Sequence, residues 1–269
     1  MRNFTRDCGN QVTLGAFLGT VSYALMVLRS VRTTEESLFT DTGSGCLRHV
    51  DAAALAEWAR RHGTALLLLR RPGDYVFPGA PIAMMTRAVN GAAAAIRAHS
   101  ALAATRSGAN DLEDAIRQLV EVGVRALSAG INDPHTAMSV LDRLGAILCE
   151  LATCKLASGI SLRDGAVVLE MPDLSYDRLA GPMLHMIRQN AAGSPAILIR
   201  MLDILTQVAY CETAPARRVT LVHHVELIAV DARASVANPA DLAAVAAREA
   251  PFDAALRGAA GLRSASAAR

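Results

Sequence analysis

The stretch "RALSAGINDPHTA", residues 125–137, joins the end of one predicted helix to the start of the next. Before it, apolar residues recur at three- and four-residue steps between Ile116 and Leu127, which is typical of an amphipathic helix. Gly130 lies where a helix favours a left-handed residue beyond its last turn. Asp133 offers a side-chain acceptor to the next helix, and Pro134 suits the first helical position. The stretch therefore predicts a helix–helix junction.

The same combination of capping residue and proline recurs at Ser194-Pro195 and Asn238-Pro239. We therefore expect a series of helices in the C-terminal part of the chain. A second pattern, "ISLRDGAVVLEM" at residues 160–171, predicts a β-hairpin with Asp164-Gly165 at its turn. The helical domain should span residues 111–257 and contain that hairpin. The predicted helices cover about 134–154, 174–191, 195–211, 216–236 and 239–249.

Residues 46–86 predict a small α+β, β-rich module. Asp51 caps a helix that runs to about His62, and "TALLLLR" and "APIAMM" are typical of short buried strands. Between these strands, "RPGDYVFPG" places Gly73 and Gly79 at two tight turns. The remaining segments are predicted to be a polar linker at 33–45, an alanine-rich connection at 87–110 that is either a loose helix or a mobile segment, and a disordered tail at 258–269.

The N-terminal segment, residues 1–32, predicts a transmembrane helix. No charged residue occurs from Cys8 to Leu28, and the apolar part is close to the roughly 17–25 residues that cross a bilayer. A buried core helix is the alternative, but such a helix would normally show a polar face. Gly15 and Gly19 form a G-x-x-x-G pair, which lets membrane helices pack closely and favours a homo-oligomer. The overall fold class is then mainly α, with this apolar helix, the small insert and an antiparallel bundle.

The composition excludes several classes of function. Aromatic residues make up 4% of the chain and the net charge is +2, so we expect no nucleic-acid partner. A single lysine, Lys155, rules out a phosphate-binding G-K-[ST] loop and a biotin- or lipoate-carrying lysine. The five scattered cysteines fit no metal template, and we interpret them as reduced core residues. No cofactor and no metal are therefore expected.

The junction at 130–136 remains the candidate site. Asn132, His135 and Thr136 exceed what capping by Asp133 needs, and a helix N-terminus favours anions. A small anionic ligand or a lipid headgroup could bind Asn132, Asp133, His135 and Thr136, or an enzyme site could lie there. Because no serine or cysteine nucleophile is identifiable beside His135, we assign no catalytic residue. Capping alone is the competing interpretation.

Three blocks carry a family resemblance: "RNFTRDCGNQVTLGAFLGTVSYALMVLRSVR", "RPGDYVFPGAP" and "IRQLVEVGVRALSAGINDPHTAMSVLDRLGAIL". In this order they resemble a bacterial family of predicted membrane proteins, a domain-of-unknown-function family. Ala129 and His135 stand where that family has proline and phenylalanine, which argues against a catalytic histidine. The family carries several N-terminal membrane helices, so the chain resembles a shortened member.

The resemblance implies a protein of the bacterial inner membrane, with the lipid bilayer as partner and the soluble part in the cytoplasm. It implies no substrate and no reaction. We therefore expect a membrane-anchored protein whose helical domain is a binding or regulatory module. The alternatives are a subunit of an oligomeric channel- or transporter-like assembly, and an enzyme or anion-binding protein with its site at 130–136.

Overall fold

The structure, a computed structural model, describes residues 38–40, 43–104, 112–156 and 158–266, and it is mainly helical as predicted. The described chain divides into two compact units. The sheet unit comprises residues 38–104 and 158–174, and the helical unit comprises residues 112–156 and 175–266. The predicted membrane helix at 1–32, with Gly15 and Gly19, lies outside the described residues.

The sheet unit contains two sheets and two helices. Its strands are β1 (Leu38–Thr40), β2 (Gly45–Val50), β3 (Leu66–Leu68), β4 (Tyr75–Val76), β5 (Pro81–Met85), β6 (Ser100–Ala103), β7 (Ile160–Arg163) and β8 (Ala166–Glu170), and its helices are α1 (Ala52–Arg61) and α2 (Ala92–Ala98). The larger sheet has the order β1-β5-β3-β8-β7, and the smaller has the order β4-β2-β6. Neighbouring strands are antiparallel except β3 and β8, which are parallel.

Local sequence signals explain most of these elements. The Asp51 carboxylate accepts a hydrogen bond from the Ala54 N–H at 2.9 Å, so α1 begins where its cap predicts. Gly73 and Gly79 have φ values of 98° and 75°, which confirms both tight turns between β3 and β5. The core of the unit forms where the apolar face of α1, including Leu55, meets the buried strand residues.

Three predicted boundaries in this region need correction. The hairpin at 160–171 belongs to the sheet unit, because β8 pairs with β3 and places Leu169 opposite Leu66. Part of the predicted linker 33–45 is strand, since Leu38–Thr40 pairs with β5 and buries Phe39. The alanine-rich segment 87–110 contains the helix α2, which agrees with one of its two predicted alternatives, and the strand β6, which was not predicted. The three strand assignments depend on pairing with residues distant in the chain, which local periodicity does not register.

The helical unit follows the predicted order. Its helices are α3 (Leu112–Ala126), α4 (Pro134–Thr153), α5 (Tyr176–Asn190), α6 (Pro195–Cys211), α7 (Pro215–Ser235), α8 (Pro239–Ala246) and α9 (Glu249–Ser266). Proline occupies the first turn of α4, α6, α7 and α8. The predicted disordered tail is corrected, because α9 continues through Gly258 as far as Ser266. The alanines of that segment favour helix, although their small size also suggests a loop.

Helix α6 is the most enclosed element of the helical unit, and it packs against α4, α7, α8 and α9. A side chain at Gly145 of α4 would overlap the Cγ2 methyl of Ile204 on α6, so the two backbones approach closely at this point. One turn earlier on each helix, the Arg200 Nε donates to the Asp142 Oδ1 at 2.7 Å. Asp142 precedes Gly145 on α4, and Arg200 precedes Ile204 on α6. Because the two contacts follow the same order on both helices, α4 and α6 are parallel.

Candidate functional site

The predicted helix junction is a hydrogen-bonded cap. The Asp133 Oδ1 accepts from the Thr136 N–H at 3.1 Å, and its Oδ2 accepts from the Thr136 hydroxyl at 2.5 Å. The Asp133 N–H donates to the Ala126 carbonyl at 2.8 Å, which ties the end of α3 to the start of α4. Hydrogen bonds from the Thr136 side chain and backbone lower the pKa of Asp133. The structure thus brings together Asp133 and Thr136 of the four predicted site residues.

The left-handed residue of this junction is Asn132, with φ of 47°, and the expectation that Gly130 takes this role is wrong. The N–H groups of Ile131 and Asn132 both donate to the Ser128 carbonyl, at 3.0 and 2.9 Å. Asparagine tolerates this conformation better than most residues because its short polar side chain can bond locally. The presence of Asn132 at the junction is therefore explained by its backbone conformation, without a ligand.

His135 is exposed and lies on the first turn of α4, beside the capping carboxylate. An anion at this helix start would meet the negative charge of Asp133, which already accepts the Thr136 N–H. Ligand binding by Asn132, Asp133, His135 and Thr136 stays a prediction.

Replacement of Asp133 separates the two interpretations of the junction. Asp133→Ala should lower the midpoint of thermal unfolding, because the Thr136 N–H and hydroxyl both lose their acceptor. The matched variant His135→Ala should leave the midpoint unchanged. Both variants and the unaltered chain are measured by differential scanning fluorimetry with and without inorganic phosphate. A phosphate-dependent rise in the midpoint that His135→Ala abolishes would instead favour a ligand site.

Three histidines form a cluster between α5 and α7, here called the histidine cluster: His185, His223 and His224. The ring centroid of His185 lies 4.6 Å from that of His224 and 6.5 Å from that of His223. The His224 side chain is only 2% exposed, and its buried Nδ1 has no hydrogen-bond partner. His185 and His224 look isolated or poorly directed in the sequence, yet the packing of α5 against α7 brings them into contact.

Charged groups surround the histidine cluster on both helices. Arg188 of α5 forms an ion pair with Asp231 of α7, and Asp177 of α5 accepts a hydrogen bond from the Thr220 hydroxyl. Burial lowers the pKa of His224 to about 4, and electrostatic interaction with His185, His223 and Arg188 adds to this effect. Burial and Arg188 also lower the pKa of His185. Both rings are therefore neutral at pH 7.

The histidine cluster should make stability fall in mild acid. Between the ordinary pKa of 6.5 and about 4, the unfolded chain binds a proton that the folded His224 does not bind. The contribution of His224 to the free energy of unfolding is thus complete above pH 6.5 and should drop by about 3 kcal/mol as the pH falls through this window. Urea unfolding across the window measures the drop.

The variant His224→Gln keeps a polar side chain of similar size and removes the titration, so it should flatten this dependence. His135→Gln, at an exposed position, is the matched control and should keep the dependence of the unaltered chain. An equal slope in His224→Gln and the unaltered chain would contradict the assignment to His224.

A buried ion pair lies where α4 and α6 end. Glu212 is 0% exposed; its Oε1 accepts from the Ala214 N–H at 2.7 Å, and its Oε2 lies 3.6 Å from the Arg217 Nη1. Arg217 also donates to the carbonyls of Leu151 and Cys154, at 2.7 and 3.0 Å. One guanidinium therefore satisfies the last carbonyls of α4 and neutralises the carboxylate that follows α6.

Tyr176, the first residue of α5, completes this end of the helical unit. The Arg217 guanidinium lies 5.3 Å from the centre of its ring, which is a cation–π distance. Burial and the negative charge of Glu212 raise the pKa of the Tyr176 phenol, so the phenol stays protonated. The sequence does not single out these residues, because "ETAPARR" at 212–218 has the composition of an exposed loop.

The described residues contain no group of three or more His, Cys, Asp or Glu side chains that could hold a metal ion. Every helix in the described ranges is too short or too polar to span a bilayer. Of the four described cysteines, Cys46, Cys149 and Cys154 are half-buried and Cys211 is exposed. None of these four is in the buried core, so the interpretation of the cysteines as core residues is wrong for them, and most clearly for Cys211, which ends α6.

The chain matches the family described as "Predicted membrane protein (DUF2254)" over residues 1–42 and 33–207. This chain belongs to that family. The match includes the uncharged N-terminal run and the junction at 125–137, so it confirms the resemblance seen in the sequence.

Similar proteins come from mycobacteria and share 29% identity with the chain over 211 residues. They are Uncharacterized protein MT1328 and Uncharacterized protein Rv1290c of Mycobacterium tuberculosis, and Uncharacterized protein Mb1321c of Mycobacterium bovis. The alignment covers 75% of this chain but only 40% of each relative, so the chain spans less than half of their length. No solved structure matches the chain.

Proposed function

We propose that the chain is a membrane-anchored protein of the bacterial inner membrane whose helical unit is a binding or regulatory module. The observation that carries this proposal is the uncharged run from Cys8 to Leu28, together with membership of a predicted membrane-protein family. Residues 29–37 connect that run to β1 and can extend over at most about 30 Å. The start of the sheet unit would then lie within that distance of the bilayer.

An aromatic pair on the sheet unit supports the lipid bilayer as a partner. Tyr75 and Phe77 are 46% and 61% exposed, with ring centroids 5.0 Å apart. Their turn is ordered by backbone hydrogen bonds, since the Ala80 N–H donates to the Phe77 carbonyl at 3.0 Å. Exposed aromatic side chains are favoured at membrane–water interfaces, where the ring meets both lipid and water.

Two features of the described chain support a regulatory role in the cytoplasm. Protonation of His185 and His224 in acid would place two more positive charges beside Arg188, between α5 and α7, which gives the unit a way to respond to a fall in pH. The four described cysteines are free thiols, which is typical of a reducing compartment.

Membrane fractionation tests the anchor. The full chain should sediment with membranes, stay there in high salt and leave only with detergent. Leu14→Arg combined with Leu18→Arg should shift it to the soluble fraction, because each arginine at the centre of a membrane helix costs about 2.5–3.5 kcal/mol. The control, Leu14→Val with Leu18→Val, keeps the run apolar and should fractionate like the unaltered chain. Release of the unaltered chain at low salt without detergent would refute anchoring.

The alternative of an oligomeric channel- or transporter-like assembly depends on Gly15 and Gly19, which lie outside the described residues. It stays a prediction. The alternative of an enzyme or anion-binding site at 130–136 has no serine or cysteine nucleophile among its four residues, and the phosphate measurement above tests it.

A further inference from the structure

Cys149 of α4 and Cys211 of α6 lie on the seam at which these two helices meet. Cys149 is one turn beyond Gly145, and Cys211 is about two turns beyond Ile204, the residue that Gly145 contacts. Residues at these spacings share a helix face, so both cysteines continue the same line of contacts. This spacing places the two thiols side by side where α4 meets α6, and the electrostatic influence of Cys211 on Cys149 agrees with it.

Contacts before and after the two cysteines hold the backbones of α4 and α6 together. Before them, the seam is closed by the contact of Gly145 with Ile204. Beyond them, Arg217 donates to the carbonyls of Leu151 and Cys154 and pairs with Glu212. The ends of α4 and α6 are therefore held together while the thiols are still reduced.

We propose that Cys149 and Cys211 are a modification site that closes to a reversible disulfide when the protein meets a hydroperoxide. The Cys211 thiolate attacks the peroxide O–O bond, giving a sulfenic acid on Cys211 and releasing the alcohol, or water from hydrogen peroxide. The Cys149 sulfur then attacks the Cys211 sulfur. The sulfenic hydroxyl leaves with the Cys149 proton as water. Two thiols are oxidised, and the peroxide is reduced.

The difference in exposure explains why Cys211 reacts with the peroxide and Cys149 then closes the disulfide. Cys211 is exposed and meets the oxidant first, whereas Cys149 is half-buried. Burial raises the pKa of Cys149 to about 11, and its interaction with Cys211 contributes, so Cys149 stays a thiol until the sulfenic acid forms beside it. Cys154 is closer to Cys149 in sequence, but it lies beyond the last turn of α4 and five positions away, which is a different helix face.

The test oxidises the reduced full chain, in detergent, with hydrogen peroxide and maps the products by digestion and mass spectrometry without reductant. We expect a linked peptide pair that joins Cys149 to Cys211, with two thiols lost and both recovered with dithiothreitol. Cys211→Ser and Cys149→Ser should each abolish the link, and the matched control Cys154→Ser should retain it. The midpoint of thermal unfolding should rise on oxidation in the unaltered chain and in Cys154→Ser only, because the link closes a long loop.

A link between Cys149 and Cys154 would overturn the proposal. So would conversion of Cys211 to a sulfinic acid while Cys149 remains a free thiol in the unaltered chain. If Cys149→Ser loses its helical circular dichroism, the mapping of the unaltered chain and of Cys211→Ser still decides the matter. None of these outcomes depends on membrane anchoring.

Discussion

The close approach of α4 and α6 at Gly145 and Ile204 is the contact on which the helical unit depends. With no side chain at Gly145, the two backbones come near enough for the Ile204 methyl to fill the space. Such close packing gains many weak dispersion contacts, and it also fixes the register of the two helices. The same device recurs on α3, where a Cβ at Gly123 would lie 3.2 Å from Val140 Cγ1 and 3.3 Å from Ile187 Cδ1.

Once the register of the helices is fixed, polar groups are held in place at two helix contacts, that of α4 with α6 and that of α5 with α7. At the end of the α4–α6 seam, Glu212 is buried and depends on Arg217 for its neutralisation. Between α5 and α7, His224 is buried and neutral beside His185. Buried polar groups add little net stability, but they penalise any packing that leaves them unpaired. We therefore expect His224 to make the unit sensitive to acid, and the proposed pairing of Cys149 with Cys211 to make it sensitive to oxidants.

Features that depend on local chemistry could be predicted from the sequence. Asp51 and Asp133 cap the helices that they were expected to cap, and the turn at Asp164-Gly165 has φ values of 52° and 77°, as a tight hairpin requires. These features need only a few consecutive residues. The left-handed residue of the junction is Asn132, two positions after the predicted Gly130. Asparagine and glycine both tolerate this conformation, so the local sequence alone does not distinguish between them.

Features that depend on distant contacts could not be predicted. The pairing of β8 with β3 joins strands that lie about a hundred residues apart. Glu212 and Arg217 look like solvated loop residues, and His185 looks isolated, until α5, α6 and α7 are packed together. Burial and charge partners are set by tertiary structure. The polar groups that are buried beside other charged groups therefore could not be recognised in the sequence.

The most direct test of this account is a double-mutant cycle between Gly145 and Ile204, with the free energy of unfolding measured by urea. Gly145→Ala should cost about 1–3 kcal/mol in the unaltered chain, because the new methyl overlaps Ile204. In the Ile204→Ala background the same change should cost at least about 1 kcal/mol less. The control Gly258→Ala, where a Cβ meets no atom within 4 Å, should cause no loss. An equal cost of Gly145→Ala in both backgrounds would contradict the contact.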